Sequence, residues 1–179
     1  MLMGAVSAFA TAYWSKSVWL GLAVAAMVGA LLALLHAFLT VTMRANQVVS
    51  GLSLTIFGSG LASFLGQRLG PGEGNLVGLV GPRFEPIAVP VLSQIPVLGG
   101  MFKQDILTYA VYLLVPLAWF FLYHTRFGLD LRATGENPQT ADAMGVNVPA
   151  VRYAYTVLGG ALVGLGGAHL SLAYTPGWA

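Results

Sequence analysis

From 18 to 42 the chain reads VWLGLAVAAMVGALLALLHAFLTVT, and His36 is its only ionisable side chain. A helix needs about 20 predominantly apolar residues to cross the hydrocarbon core of a bilayer, and this stretch exceeds that length. It contains no proline, so its backbone can satisfy its own hydrogen bonds, as lipid requires of anything that spans it. Composition extends the inference to the whole chain: 57% of the residues are hydrophobic and 8% are charged, against about 25% charged in soluble domains. Those charges fall almost entirely outside the apolar runs, where burial in lipid would cost about 3 kcal/mol each. An integral membrane protein is expected.

Further spans are predicted at 47–66, 106–124 and 153–174, with a partial one at 1–14, giving an all-α polytopic transmembrane helix bundle. The short first segment and the stop just past the last span read as a fragment truncated at both ends. Tyr13, Trp14, Lys16 and Trp19 form an interfacial cluster, since amphipathic rings and a snorkelling ammonium settle at headgroup depth. Gly21, Ala25, Gly29, Ala33 and Ala37 recur at every fourth position, and Gly160, Gly164 and Ala168 repeat the pattern later. Ridges of small residues let helices approach closely. His36 reads as a neutral interhelical hydrogen bonder rather than a ligand. Pro116 should kink its span.

The 47–66 span is wetter. Gly51, Thr55, Ser59 and Ser63 share one helical face, and Asn46, Gln47, Ser50 and Ser53 crowd its entrance. Such groups either pair with neighbouring helices or line a water-filled passage. On the second reading the substrate-pathway candidates are Asn46, Gln47, Ser50, Thr55 and Ser59. Between 67 and 104 the chain carries Pro71, Pro82, Pro86, Pro90 and Pro96 among many glycines. That backbone cannot cross lipid as a simple helix, so an extramembrane or re-entrant segment is expected, its apolar patches at 76–80 and 87–98 lying at the interface.

A polar island, 126–152, separates the last two spans. Asn137 can cap a helix whose first residue is Pro138, because its side-chain oxygen serves an orphan amide and proline has none to lose. Gly145 can end that helix in a left-handed conformation, so the pattern predicts a helix over 138–144. Asn147 and Pro149 repeat the start signal for a second helix that runs into the next span. Arg126, Arg132 and Arg152 flank the island, and alternation of spans puts Arg44 on the same side. By the positive-inside rule that side is cytoplasmic, and 67–104 faces outward.

No catalytic grouping appears. The chain has no cysteine, and its three histidines lie on separate segments, which argues against disulfides, thiolate sites, a triad or a metal cluster. Nor is there a basic cluster for nucleic acid.

The string ATGENPQTADAMGVNVPAVRY, followed by VLGGALVGLGGAHLSL, resembles the cytoplasmic loop and following span of permease subunits of ABC importers in the branched-chain amino acid and simple-sugar group. RANQVVSGLSLTIFGSGLASFLG is similar to the nucleoside and simple-sugar subgroup. The resemblance implies that the island carries a short cytoplasmic coupling helix seated in a groove of an ATPase subunit, with Glu136, Asn137, Pro138, Thr140, Ala141, Met144 and Gly145 facing that partner. It also implies a second permease subunit, identical or homologous, and an extracytoplasmic substrate-binding protein. This chain would bind no cofactor, ATP and Mg residing on the ATPase. The implied function is ATP-driven import of a neutral polar solute, a nucleoside or simple sugar, across the bacterial inner membrane. The alternatives are a branched-chain amino acid permease of the same type and an ion-coupled secondary transporter. The second is disfavoured by the lack of an intramembrane carboxylate.

Overall fold

The computed structural model describes residues 1–71, 74–88 and 103–174. In chain order its elements are α1 (Leu2–Ser15), α2 (Val18–Ala37) widening into a π turn (Phe38–Thr42), α3 (Gln47–Arg68), β1 (Ile87–Ala88), β2 (Lys103–Gln104), α4 (Ile106–His124), α5 (Arg126–Glu136), α6 (Pro138–Ala143), and α7 (Val148–His169) ending in a second π turn (Leu170–Tyr174). The helices Val18–Thr42, Gln47–Arg68, Ile106–His124 and Val148–Tyr174 are each long and apolar enough to cross a membrane. The architecture is the expected all-α helix bundle, with almost no strand among the described residues. It divides into two compact units, Met1–Arg83 with Asn147–Ala179, and Phe84–Val146.

In the first unit α1 is the inner helix. Val6, Ala8, Phe9 and Ala12 are fully shielded. Lipid removes the hydrophobic drive for helices to associate, so close packing and interhelical hydrogen bonds must hold them. The small-residue ridges supply the first. A Cβ at Gly21 would strike the Ala8 carbonyl of α1, and one at Gly29 would strike Gly160 and Gly164 of α7. Conversely, Cβ atoms on Gly160 and Gly164 would overlap Ala33, Gly29 and Ala25 of α2. One ridge on α2 therefore serves two neighbours. Hydrogen bonds supply the second: Ser171 Oγ donates to Ala5 O across 3.0 Å in a buried site, and the Thr42 and Tyr153 hydroxyls pair. The outward faces, with Trp19, Leu20, Met27, Leu31 and Leu158 exposed, are what a lipid-facing surface requires.

The helix corners are closed by local chemistry. Lys16 (φ 57) and Arg44 (φ 53) take the left-handed conformation after α1 and after the first π turn. Asn46 caps α3, its Oδ1 accepting from the Val48 and Val49 amides at 2.9 and 3.3 Å. Trp14 Nε1 donates to Leu69 O at 3.0 Å. Within the patch at 76–80, Leu76 is fully buried while Val80 is exposed, so only its leading edge packs. Most of the patch at 87–98, with Pro90 and Pro96, lies outside the described residues, as do 72–73 and 175–179.

In the second unit β1 and β2 pair antiparallel, Ile87 opposite Gln104 and Ala88 opposite Lys103. Tyr109 of α4 braces the pair by donating to Ile87 O at 3.1 Å. Asp105 caps α4, and that helix runs unbroken through Pro116. At its foot Thr125 turns the chain: its Oγ1 donates to Phe121 O at 2.6 Å and accepts from Gly128 N at 3.1 Å. Gly128 makes the corner possible, since a Cβ there would collide with the Phe121 and Leu122 carbonyls. The helix α5 that follows was not legible in the sequence; a polar stretch with two glycines, Gly128 and Gly135, has low intrinsic helix preference, and the Thr125 cap outweighs it.

Candidate functional site

The polar island folds as a pair of short helices sharing one joint. Asn137 ends α5, its amide donating to Ala133 O at 2.9 Å, and begins α6, its Oδ1 accepting from Thr140 N at 3.1 Å. Pro138 occupies the first position of α6. At the far end Gly145 sits at φ 87. Its amide donates to Asp142 O at 2.9 Å, and the Val146 amide reaches back to Ala141 O at 3.0 Å. Those two bonds are the Schellman pattern, which satisfies carbonyls the helix leaves open. The helix thus spans Pro138–Ala143, with Met144 as its C-cap rather than its last helical residue.

The predicted coupling residues are brought together. Ala141 is buried beneath α6, whereas Glu136, Asn137, Thr140 and Met144 are exposed, Met144 at 81%. Between α5 and α6 lies a depression of about 640 Å³ bounded by Leu129, Asp130, Ala133, Glu136, Thr140 and Met144, among others. Leu129, Ala133, Ala141, Met144 and Val146 make its apolar walls, and its two ionisable groups, Asp130 and Glu136, are both acidic. Leu129 and Ala133 were missed by sequence reasoning because they belong to α5. An Asn137→Ala substitution should remove the side-chain cap of α6, at a cost of about 1 kcal/mol. Hydrogen exchange at the Thr140 amide is then expected to speed up about fivefold, with Asn137→Ser close to the parent.

A second feature lies within the first unit. An open cleft of about 460 Å³ is bounded by α2, α3, α7 and the start of α1, with His36, Thr55, Ser59 and Thr156 among its lining residues. His36 Nδ1 and Ser50 Oγ lie 3.0 Å apart, the interhelical bond expected of that histidine. The pathway candidates separate here. Thr55 and Ser59 line the cleft, while Ser50 is buried against His36. Asn46 and Gln47 are exposed outside the lining, Asn46 engaged as the α3 cap. Thr156 was not anticipated; a lone threonine in a glycine-rich span carries no signal until α7 is docked on α2. Among the described residues, no three His, Cys, Asp or Glu side chains gather to hold a metal ion.

Comparison with known proteins gives a consistent picture. A family model described as the permease component of branched-chain amino acid transport systems matches residues 1–179. A Haloferax volcanii protein provisionally named a glucose ABC transporter permease is 40% identical over 179 residues, 99% of this chain and 54% of its own. A nucleoside ABC transporter permease of Lactococcus lactis is 41% identical over 159 residues, 87% of this chain and 49% of its own. A guanosine ABC transporter permease of Bacillus subtilis is 39% identical over 152 residues, 83% and 47% of the respective chains. The chain spans about half the length of these relatives. No solved structure matches it.

Proposed function

The chain belongs to the family of permease components of branched-chain amino acid transport systems, and from that membership we propose that it forms part of the membrane subunit of an ATP-driven importer for a neutral polar solute, a nucleoside or simple sugar. It is a multi-pass membrane protein, and the bacterial inner membrane is its proposed location. The names of the three relatives support this solute class.

The observation that carries the reading is α6. Six residues are too few to hold a helix alone, yet this one is fastened at its start by Asn137 and at its end by the Schellman turn at Gly145. Rigidity of that kind suits an element that is pushed rather than one that reacts. The proposed coupling surface comprises Glu136, Asn137, Pro138, Thr140, Ala141, Met144 and Gly145, on the cytoplasmic loop 126–152. Its partner is a separate ATPase subunit holding ATP and Mg. A basic group facing Asp130 and Glu136 and a pocket for Met144 would complement it. An extracytoplasmic binding protein delivers the solute, and a second permease subunit completes the assembly. The solute passes along the polar face of α3, where Thr55 and Ser59 meet the cleft.

Energy source separates this from ion-coupled transport. Depleting ATP at constant proton gradient is expected to stop uptake, and a protonophore at constant ATP is expected to leave it. The reverse pattern would rule the importer out.

A further inference from the structure

We infer that the cleft between α2, α3 and α7 binds a polyhydroxylated ring, with His36 Nε2–H as a donor and the Thr55 and Ser59 oxygens as acceptors. This rests on the importer reading above and adds to it a site, a polarity for each group and a residue outside the expected pathway.

The polarity follows from where each hydrogen is already committed. Ser50 Oγ is 3.0 Å from His36 Nδ1, and Ser50 is 6% exposed. Among the described residues Ser50 Oγ has no other partner, so if Nδ1 carried the proton the buried serine hydrogen would have no acceptor, a costly arrangement. The serine therefore donates, Nδ1 accepts, and the imidazole proton resides on Nε2. Nε2 is the ring nitrogen left for a ligand in a cleft that His36 lines. Thr55 Oγ1 donates to Gly51 O at 2.9 Å and Ser59 Oγ to Ile56 O at 3.0 Å. Their hydrogens are used within α3, and only their lone pairs remain.

His36 Nε2–H, the Thr55 and Ser59 oxygens and the Thr156 hydroxyl then share the cleft with apolar side chains such as Leu54 and Val163, and no Asp, Glu, Lys or Arg side chain lines it. Charged solutes find no carboxylate, ammonium or guanidinium side chain to pair with. A neutral ring with hydroxyls on its edge can give hydrogens to Thr55 and Ser59 and take one from His36. The cleft's volume of about 460 Å³ lies within the ~300–1,000 Å³ range of small-molecule sites. A free hexose and the ribose of a nucleoside share this chemistry.

The test follows uptake of glucose and of guanosine separately, in vesicles holding the full-length importer with all of its subunits. His36→Leu is expected to lower the maximal rate for the transported probe about three- to tenfold, the range given by losing one hydrogen bond. His36→Gln places an amide N–H near the position of Nε2–H and should recover to within about twofold on the same basis. Should His36→Leu fail to accumulate in the membrane, Ser50→Ala, which frees the ring, is expected to show a loss in the same range. Unchanged uptake in the tested variant, or equal impairment by Leu and Gln, overturns the site while leaving the importer reading standing. If the parent protein imports neither probe, the solute class falls and the inference with it. Glucose uptake alone would identify the ligand as a free sugar, and guanosine uptake alone as a nucleoside.

Discussion

Gly145→Val is expected to leave the protein in the membrane while separating ATP hydrolysis from uptake. Space is not the obstacle, because a Cβ at Gly145 meets nothing within 4 Å. The backbone is. At φ 87 a side-chain-bearing residue pays about 1–2 kcal/mol, and a β-branched one more. Valine would move the backbone out of the left-handed region, breaking the bonds from Gly145 N to Asp142 O and from Val146 N to Ala141 O. A six-residue helix has little else to hold its last turn, so α6 would fray and the chain leaving it would take another direction. In the proposed importer hydrolysis should persist while uptake drops by about tenfold or more, the consequence of about 1.4 kcal/mol or more at the joint. Gly145→Asn should retain most of the uptake, since asparagine tolerates the left-handed region. Normal uptake by the valine variant would remove α6 from the coupling path.

The second large effect is structural. Gly164→Leu is expected to prevent assembly of the first unit, whereas Gly159→Leu on the same helix should be accepted. A Cβ on Gly164 would run into the Ala25 carbonyl and approach the Gly29 Cα at 3.3 Å, but one on Gly159 meets nothing within 4 Å. The obstructing atoms at Gly164 are backbone and cannot change rotamer, so relief requires prising α2 from α7. Overpacking typically costs about 1–3 kcal/mol and occasionally more, and here the backbone of α1 is caught as well, since Gly4 is closely apposed to Gly164. Thermal unfolding in detergent, or resistance to proteolysis in membranes, reads the difference. Equal melting of the two variants would mean that the ridges do not meet.

Those ridges show what the chain discloses on its own and what it withholds. Small residues at every fourth position announce a close approach, because only a neighbouring backbone benefits from the missing side chains. They do not say which neighbour. The α2 ridge in fact divides, with Gly21 against α1 and Gly29 and Ala33 against α7, and nothing local encodes the division. Helix α6 was legible almost to the residue because its determinants are local: an asparagine, a proline and a glycine acting over a few bonds. Asn46 illustrates the opposite case. A polar residue before an apolar helix suits a cap and a passage equally, and the structure places its oxygen on the Val48 and Val49 amides. His36 could be read as a hydrogen bonder, but its partner Ser50 lies on α3, across a corner whose geometry only the fold supplies. The pairing of β1 with β2 joins segments from opposite ends of a proline-rich stretch, and no periodicity marks either.

The shared joint at Asn137 also bears on how tightly anything can seat on this surface. Ordering a residue costs about 1–2 kcal/mol, so a six-residue helix that formed only on docking would subtract about 6–12 kcal/mol from the association free energy. Here the ordering is already complete before a partner arrives. Contacts made by Met144 and the neighbouring carboxylates can then appear almost undiminished as affinity, and a modest patch suffices where a disordered loop would need a far larger one.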